Sequence, residues 1–146
     1  QAIDSNWSIR LLIFVIYKDF AHSPSKVQAT TNAVREQFNN KKLIACFELH
    51  TYSSLNPKFL KKYRDTLDNA DECIICYSEK NMRIKRLKPI DSKLISESFN
   101  HKNLLVFDDH EKFENKVLSF DLKNTVLLMM SSGKFGGFNF DKLKNL

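Results

Sequence analysis

Apolar positions along this chain switch between two periods, and the switching predicts an architecture. Leu11 to Tyr17 is a continuous apolar run, as expected of a strand covered on both faces. From Pro24 the spacing changes: Val27, Thr31, Val34 and Phe38 recur every three or four residues. That spacing predicts an amphipathic helix ending near Asn39-Asn40. Leu43 to Leu49 reads as a second strand. Asn56-Pro57 reads as a cap with proline at the first helical position, and Phe59, Leu60, Tyr63 and Leu67 form the buried stripe of that helix. Cys73 to Tyr77 is a third strand. In Asn81 to Lys88, Met82, Ile84 and Arg86 alternate with basic residues, a pattern read as an exposed edge strand or hairpin.

Asp91 or Ser92 caps a short helix carrying Leu94, Ile95 and Phe99. Leu104 to Phe107 is a strand, Asp108-Asp109 a helix-start cap, and Phe113 to Leu118 part of the helix that follows. Thr125 to Met130 is the last strand, with a glycine-bearing loop and a short terminal helix after it. Strand and helix alternate about five times, which predicts an α/β fold. The expected form is a three-layer Rossmann-like sandwich around a mostly parallel sheet of about five or six strands. Residues 1–146 are expected to form one domain.

Composition narrows the picture. Apolar residues make up 42% of the 146, ordinary for a globular chain. No apolar run approaches the roughly 20 residues of a membrane span, and no signal-peptide pattern precedes Leu11. A cytoplasmic location is expected. The formal charge is +6, but its cations are scattered, at Lys41-Lys42, Lys61-Lys62 and Lys80 to Lys88. No aromatic-basic recognition motif accompanies them, so neither nucleic acid nor membrane is an expected partner. Three cysteines, an odd number, argue against a disulfide framework. Cys73 and Cys76 make a C-x-x-C inside a predicted strand, where positions three apart face opposite sides. They are expected to be buried and reduced.

Polar residues cluster after three of the predicted strands. Lys18, Asp19 and His22 follow the first; Glu48, His50, Thr51, Tyr52, Ser53 and Ser54 follow the second; Ser131, Ser132, Gly133, Lys134 and Phe135 follow the last. In a parallel sheet these loops leave the same edge, where open α/β sheets bind ligands. The last loop holds all three glycines of the chain. Glycine permits left-handed backbone, so successive amides there are expected to turn inward as an anion-binding nest. Neither G-x-x-x-x-G-K-[ST] nor G-x-G-x-x-G occurs, so the chain lacks a phosphate cradle of its own. Asp19, His22 and Ser23 lack a nucleophile elbow. Asp19, His22 and His50 would hold a metal only if their loops brought them within about 2 Å of one ion.

Asp19-Phe20-Ala21-His22-Ser23-Pro24 resembles the D-[YF]-[GA]-H-x-P motif that opens the C-terminal domain of the Mur ligases, ATP-dependent ligases of bacterial cell-wall synthesis. Leu43 to Ser54, Thr66 to Cys76 and Leu127 to Gly137 resemble further stretches of that domain. The likeness runs from Tyr17 onward, and is closest to branches that join a tripeptide or L-alanine to UDP-N-acetylmuramate. It implies a Rossmann-like domain that closes over ATP and receives the amine that attacks a UDP-muramyl acyl phosphate. Lys18, Asp19 and His22 would then lie at the nucleotide, with Asp19 on the ribose. His50, Thr51, Ser53, Ser131, Ser132, Lys134 and Phe135 would border the incoming amino acid or peptide. ATP and Mg2+ would be held mainly by a central domain outside this sequence, leaving no catalytic or metal residue here and this fragment alone inactive.

Related ligases often read D-D-[YF]-[GA]-H-H-P, whereas Lys18 and Ser23 stand here for the first aspartate and second histidine. The L-alanine branch has arginines after its matching histidine, suited to clamping a carboxylate. Thr51-Tyr52-Ser53-Ser54 offers none. The alternatives from other classes are a free-standing flavodoxin-like binding or regulatory module, and a small metal-dependent hydrolase using Asp19, His22 and His50.

Overall fold

The computed structural model describes residues 4–10 and 14–145, with backbone alone at 4–10, 14 and 144–145. Its strands are β1 (Asp4–Arg10), β2 (Phe14–Asp19), β3 (Lys42–Glu48), β4 (Glu72–Cys76), β5 (Leu104–Phe107) and β6 (Thr125–Met130). Its helices are α1 (Pro24–Gln37), α2 (Pro57–Leu60), α3 (Glu79–Ile84), α4 (Ser92–Phe99) and α5 (His110–Leu118), with 3-10 turns at Lys61–Tyr63 and Phe140–Asn145. The described strands form one six-stranded sheet in the order β1-β2-β6-β3-β4-β5. β2, β6, β3, β4 and β5 are mutually parallel, as the sequence predicts, and β1 adds an antiparallel edge that it did not announce. The first predicted strand appears at Phe14–Asp19; its Leu11, Leu12 and Ile13 lie outside the described residues.

Alternation along the strands divides two cores. Val15, Tyr17, Phe47, Ile75 and Leu128 face α1, α2, α3 and α4, while Ile16, Ile44, Ile74 and Leu127 face α5 and the C-terminal turn. Cys73 belongs to the first face and Cys76 to the second, so the C-x-x-C cannot act as one dithiol. Cys46, Cys73 and Cys76 are free and buried, and burial pushes each thiol well up. Fully burying a Leu or Phe side chain stabilises by about 1.5–3 kcal/mol, so the two layers dominate the folding energy.

Two local readings are corrected. Asn81 to Lys88 is not an edge strand: Glu79–Ile84 is helical, with Ser78 Oγ accepting from the Asn81 amide. Met82 is buried and Ile84 is 68% exposed, so the alternation of apolar and basic residues did not mark a sheet face. The helix after Asn56 stops at Leu60 and gives way to a 3-10 turn, although the Asn56 side chain does accept from the Lys58 and Phe59 amides. Leu60, Tyr63 and Leu67 are nevertheless all buried. Ser23 is the N-cap of α1, but its side chain makes no capping bond, and Pro24 sets the helix start instead.

Candidate functional site

β2, β6 and β3 are adjacent and parallel, so the segments after Asp19, Met130 and Glu48 leave the sheet at one edge. The Ser131 amide donates to the Asp19 carbonyl at 3.1 Å, tying the first of these loops to the last. All three polar clusters therefore share a rim.

In the first loop, Asp19 is buried and its Oδ1 accepts the Ala21 amide at 2.7 Å, closing the turn. His22 Nδ1 meets the Phe20 carbonyl at 3.0 Å. The Phe20 ring is 68% exposed and packs edge-on to His22. Tyr63 donates its hydroxyl to the His22 carbonyl at 2.5 Å, so the broken helix after Asn56 braces this loop. Lys18 Nζ lies over the Phe140 ring at 4.9 Å.

In the second loop, Thr51 accepts the Ser54 amide on Oγ1, and Ser54 returns its hydroxyl to the Thr51 carbonyl. The Thr51 hydroxyl is thus part of the turn, while Ser53 is exposed. Lys85, just beyond α3, donates to the His50 carbonyl at 2.8 Å and lies over the Tyr52 ring at 4.9 Å. A cation thus reaches the loop that carries no arginine of its own.

Glu48, the last residue of β3, organises the third loop. Its Oε1 accepts the Ser131 hydroxyl at 2.5 Å and the Phe135 amide at 3.0 Å. Its Oε2 meets His110 Nε2 at 2.6 Å and lies 4.0 Å from His50 Nδ1. Burial pushes the Glu48 carboxyl up, but hydrogen bonds from His110 and Ser131, the His110 charge and the Phe135 amide outweigh it. The carboxyl is held below its ordinary 4.5. The expected nest of successive amides is not what the loop builds onto Glu48: one amide, that of Phe135, and the Ser131 hydroxyl turn onto this carboxylate, while the Gly133 amide turns to Ser131 Oγ. Ser131 and His110 both bond to Glu48 rather than to each other, which is not the order of a hydrolytic triad.

Phe135 adopts φ 51°, a left-handed conformation that a bulky residue holds only under compensation. Its amide bond to Glu48 and a stack on Phe113 at 5.3 Å provide it. Ser131 and Phe135 are buried and shape the loop. Lys134 is exposed, and the buried Ser132 Oγ has no hydrogen-bond partner among the described residues. Glu48 entered the sequence reading as one of several polar residues, and His110 not at all; a lone histidine after a cap carries no spacing signal. Among the described residues no three His, Cys, Asp or Glu side chains are grouped to hold a metal, so Asp19, His22 and His50 are not assembled as a ligand set. Among them too, no helix is long and apolar enough to cross a membrane.

No protein-family model matches the sequence. The fold is that of the C-terminal domains of Mur ligases. A domain assigned to a UDP-N-acetylmuramate:L-alanyl-γ-D-glutamyl-meso-diaminopimelate ligase of Haemophilus ducreyi matches with TM-score 0.63 and 20% identity, over 94% of this chain and 96% of that one. A murein peptide ligase of Psychrobacter arcticus matches with TM-score 0.67 and 15% identity, over 90% of this chain and 27% of its own. The MurF ligase of Thermotoga maritima, solved with ADP, matches with TM-score 0.56 and 17% identity, over 94% and 29%. The chain thus spans under a third of the length of the two larger ligases.

Proposed function

We propose that this chain acts as the C-terminal domain of an ATP-dependent peptide ligase of peptidoglycan synthesis or recycling, closing over the nucleotide and receiving the incoming amine. The observation that carries the reading is the shared rim. It bears the Asp19–Pro24 motif and the ends of two further stretches that resemble the Mur ligases, those finishing at Ser54 and Gly137, on a sheet with their fold. The exposed Phe20 ring, one residue after Asp19 in the same loop, suits a nucleoside, and the Asp19 carboxylate would accept ribose hydroxyls. Bound ATP supplies the phosphoryl group that activates a carboxylate as an acyl phosphate.

The chain's own residues then divide the work. Lys18, Asp19 and His22 orient the nucleotide from the first loop. His50, Thr51 and Ser53 receive the amine from the second loop, and Ser131, Ser132, Lys134 and Phe135 border it from the third. Closure of this rim excludes water, which protects an acyl phosphate from hydrolysis. Mg2+ would be held by another part of the complete ligase. The Lys85 ammonium beside His50 and Tyr52 favours an amine substrate that also carries a carboxylate, as an amino acid or peptide does. A cytoplasmic location follows from the same reading, since nucleotide and UDP-linked substrate are found there.

In the complete ligase, Asp19→Ala is expected to raise KM for ATP, and His50→Ala to raise KM for the amine, each by about tenfold. Unchanged kinetics in both variants would refute these roles.

A further inference from the structure

Glu48 presents a chemical requirement that extends beyond packing. Its three short contacts come from the Ser131 hydroxyl, the Phe135 amide and the His110 imidazole. All three donate, so the position calls for a group that only accepts, on both oxygens. A glutamine would turn its amide hydrogens toward one of these donors. The side chain is only 3% exposed, and a buried charge survives where its hydrogen bonds are complete.

The glycines extend this arrangement to His50. A Cβ on Gly133 would meet the His50 ring at 3.0 Å and Glu48 Oε1 at 3.1 Å. A Cβ on Gly136 would meet the His110 ring at 2.4 Å. The Gly133 amide is in turn held by Ser131 Oγ at 2.8 Å. One carboxylate thus fixes the loop after β6 and the start of α5, and the loop it fixes packs against His50. The segment after β5 thereby joins the rim, which the sequence built from three loops.

We propose that Glu48 is the positioning residue of this rim, holding the glycine loop and His110 directly and His50 both across the 4.0 Å to its Nδ1 and through Gly133. Its effect on amine capture rests on the ligase reading; the clamp itself does not.

The test uses amide and imidazole NMR signals of the 146-residue chain, as wild type, Glu48→Gln and Ser131→Ala. Glu48→Gln is expected to move the Gly133 and Phe135 amides together with the His50 and His110 imidazoles. It should speed exchange of the Phe135 amide about tenfold while α1 and α4 keep their signals. Ser131→Ala keeps the carboxylate and is expected to move the Gly133 amide and the His50 imidazole. Wild-type His50 and His110 signals in Glu48→Gln overturn the proposal; if that variant does not fold, unmoved His50 signals in Ser131→Ala do so. In the complete ligase, Glu48→Gln is expected to raise KM for the amine about fivefold and leave KM for ATP in place. Equal rises in both would make Glu48 a general structural residue and overturn the positioning role. A complete protein without ligase activity would instead remove the ligase reading, and the spectroscopic arm would decide alone.

Discussion

Glu48 and His110, 62 residues apart in sequence, meet at 2.6 Å between the end of one parallel strand and the start of the helix after another. The contact joins β3 to α5 across the intervening β4, at the edge where ligands bind in such sheets. It stands behind the glycine loop, so the loop's shape depends on a charge as well as on packing.

That dependence predicts an acid limit to stability. The folded chain holds Glu48 ionised more strongly than the unfolded chain does, because its carboxyl lies below the ordinary 4.5. Its contribution is fully present above that value and is lost as pH falls through the lower folded value. Asp71 behaves alike: burial pushes it up, but the Leu43 amide and Arg35 outweigh this and hold it below 3.8. Urea midpoints are expected to be insensitive to both groups near neutrality and to fall below about pH 4. Glu48→Gln should flatten part of that acid slope.

Gly136 and Gly137 separate two costs of adding a methyl group. Both have positive φ, 65° and 84°, where alanine is strained by about 1 kcal/mol. At Gly136 the new Cβ also strikes the His110 ring, whereas at Gly137 it meets nothing within 4 Å. Gly136→Ala is expected to destabilise by about 3 kcal/mol and Gly137→Ala by about 1 kcal/mol in urea unfolding. Equal losses would mean that His110 does not sit against the loop.

Tyr63→Phe tests the brace under the first loop. It deletes the hydroxyl that the His22 carbonyl accepts and leaves the ring stacked on Phe99 at 5.1 Å. A loss of about 1 kcal/mol is expected, or about 3 °C in Tm. Exchange of the Ala21 amide should quicken in the same variant.

Phe113→Ala removes the ring that compensates the strained Phe135. A cost of about 3–5 kcal/mol is expected, at the upper end because the stack on Phe135 and the contact with Phe138 go together.

Strands buried on both faces were legible because continuous runs such as Leu43 to Leu49 and Thr125 to Met130 have few other readings. The rim was legible for the same reason, since parallel strands force their following loops to one edge. Asn81 to Lys88 misled because in a helix of six residues one buried side chain, Met82, leaves no 3.6-residue period to detect. Tyr63 and Leu67 kept their predicted burial although the helix expected to carry them breaks. Packing fixed their direction without fixing their backbone. The Glu48 cluster was hidden because its members come from three separate segments, and pairing across the sheet is written in topology rather than spacing.

The role proposed for this rim is service to a ligase. The most direct measurement is phosphate release from ATP by the complete protein, with UDP-N-acetylmuramate and L-alanyl-γ-D-glutamyl-meso-diaminopimelate or L-alanine. Release that requires both the UDP-linked acid and an amine, and that Asp19→Ala weakens, is the predicted result. Release independent of either partner, or none with any amine offered, would contradict it.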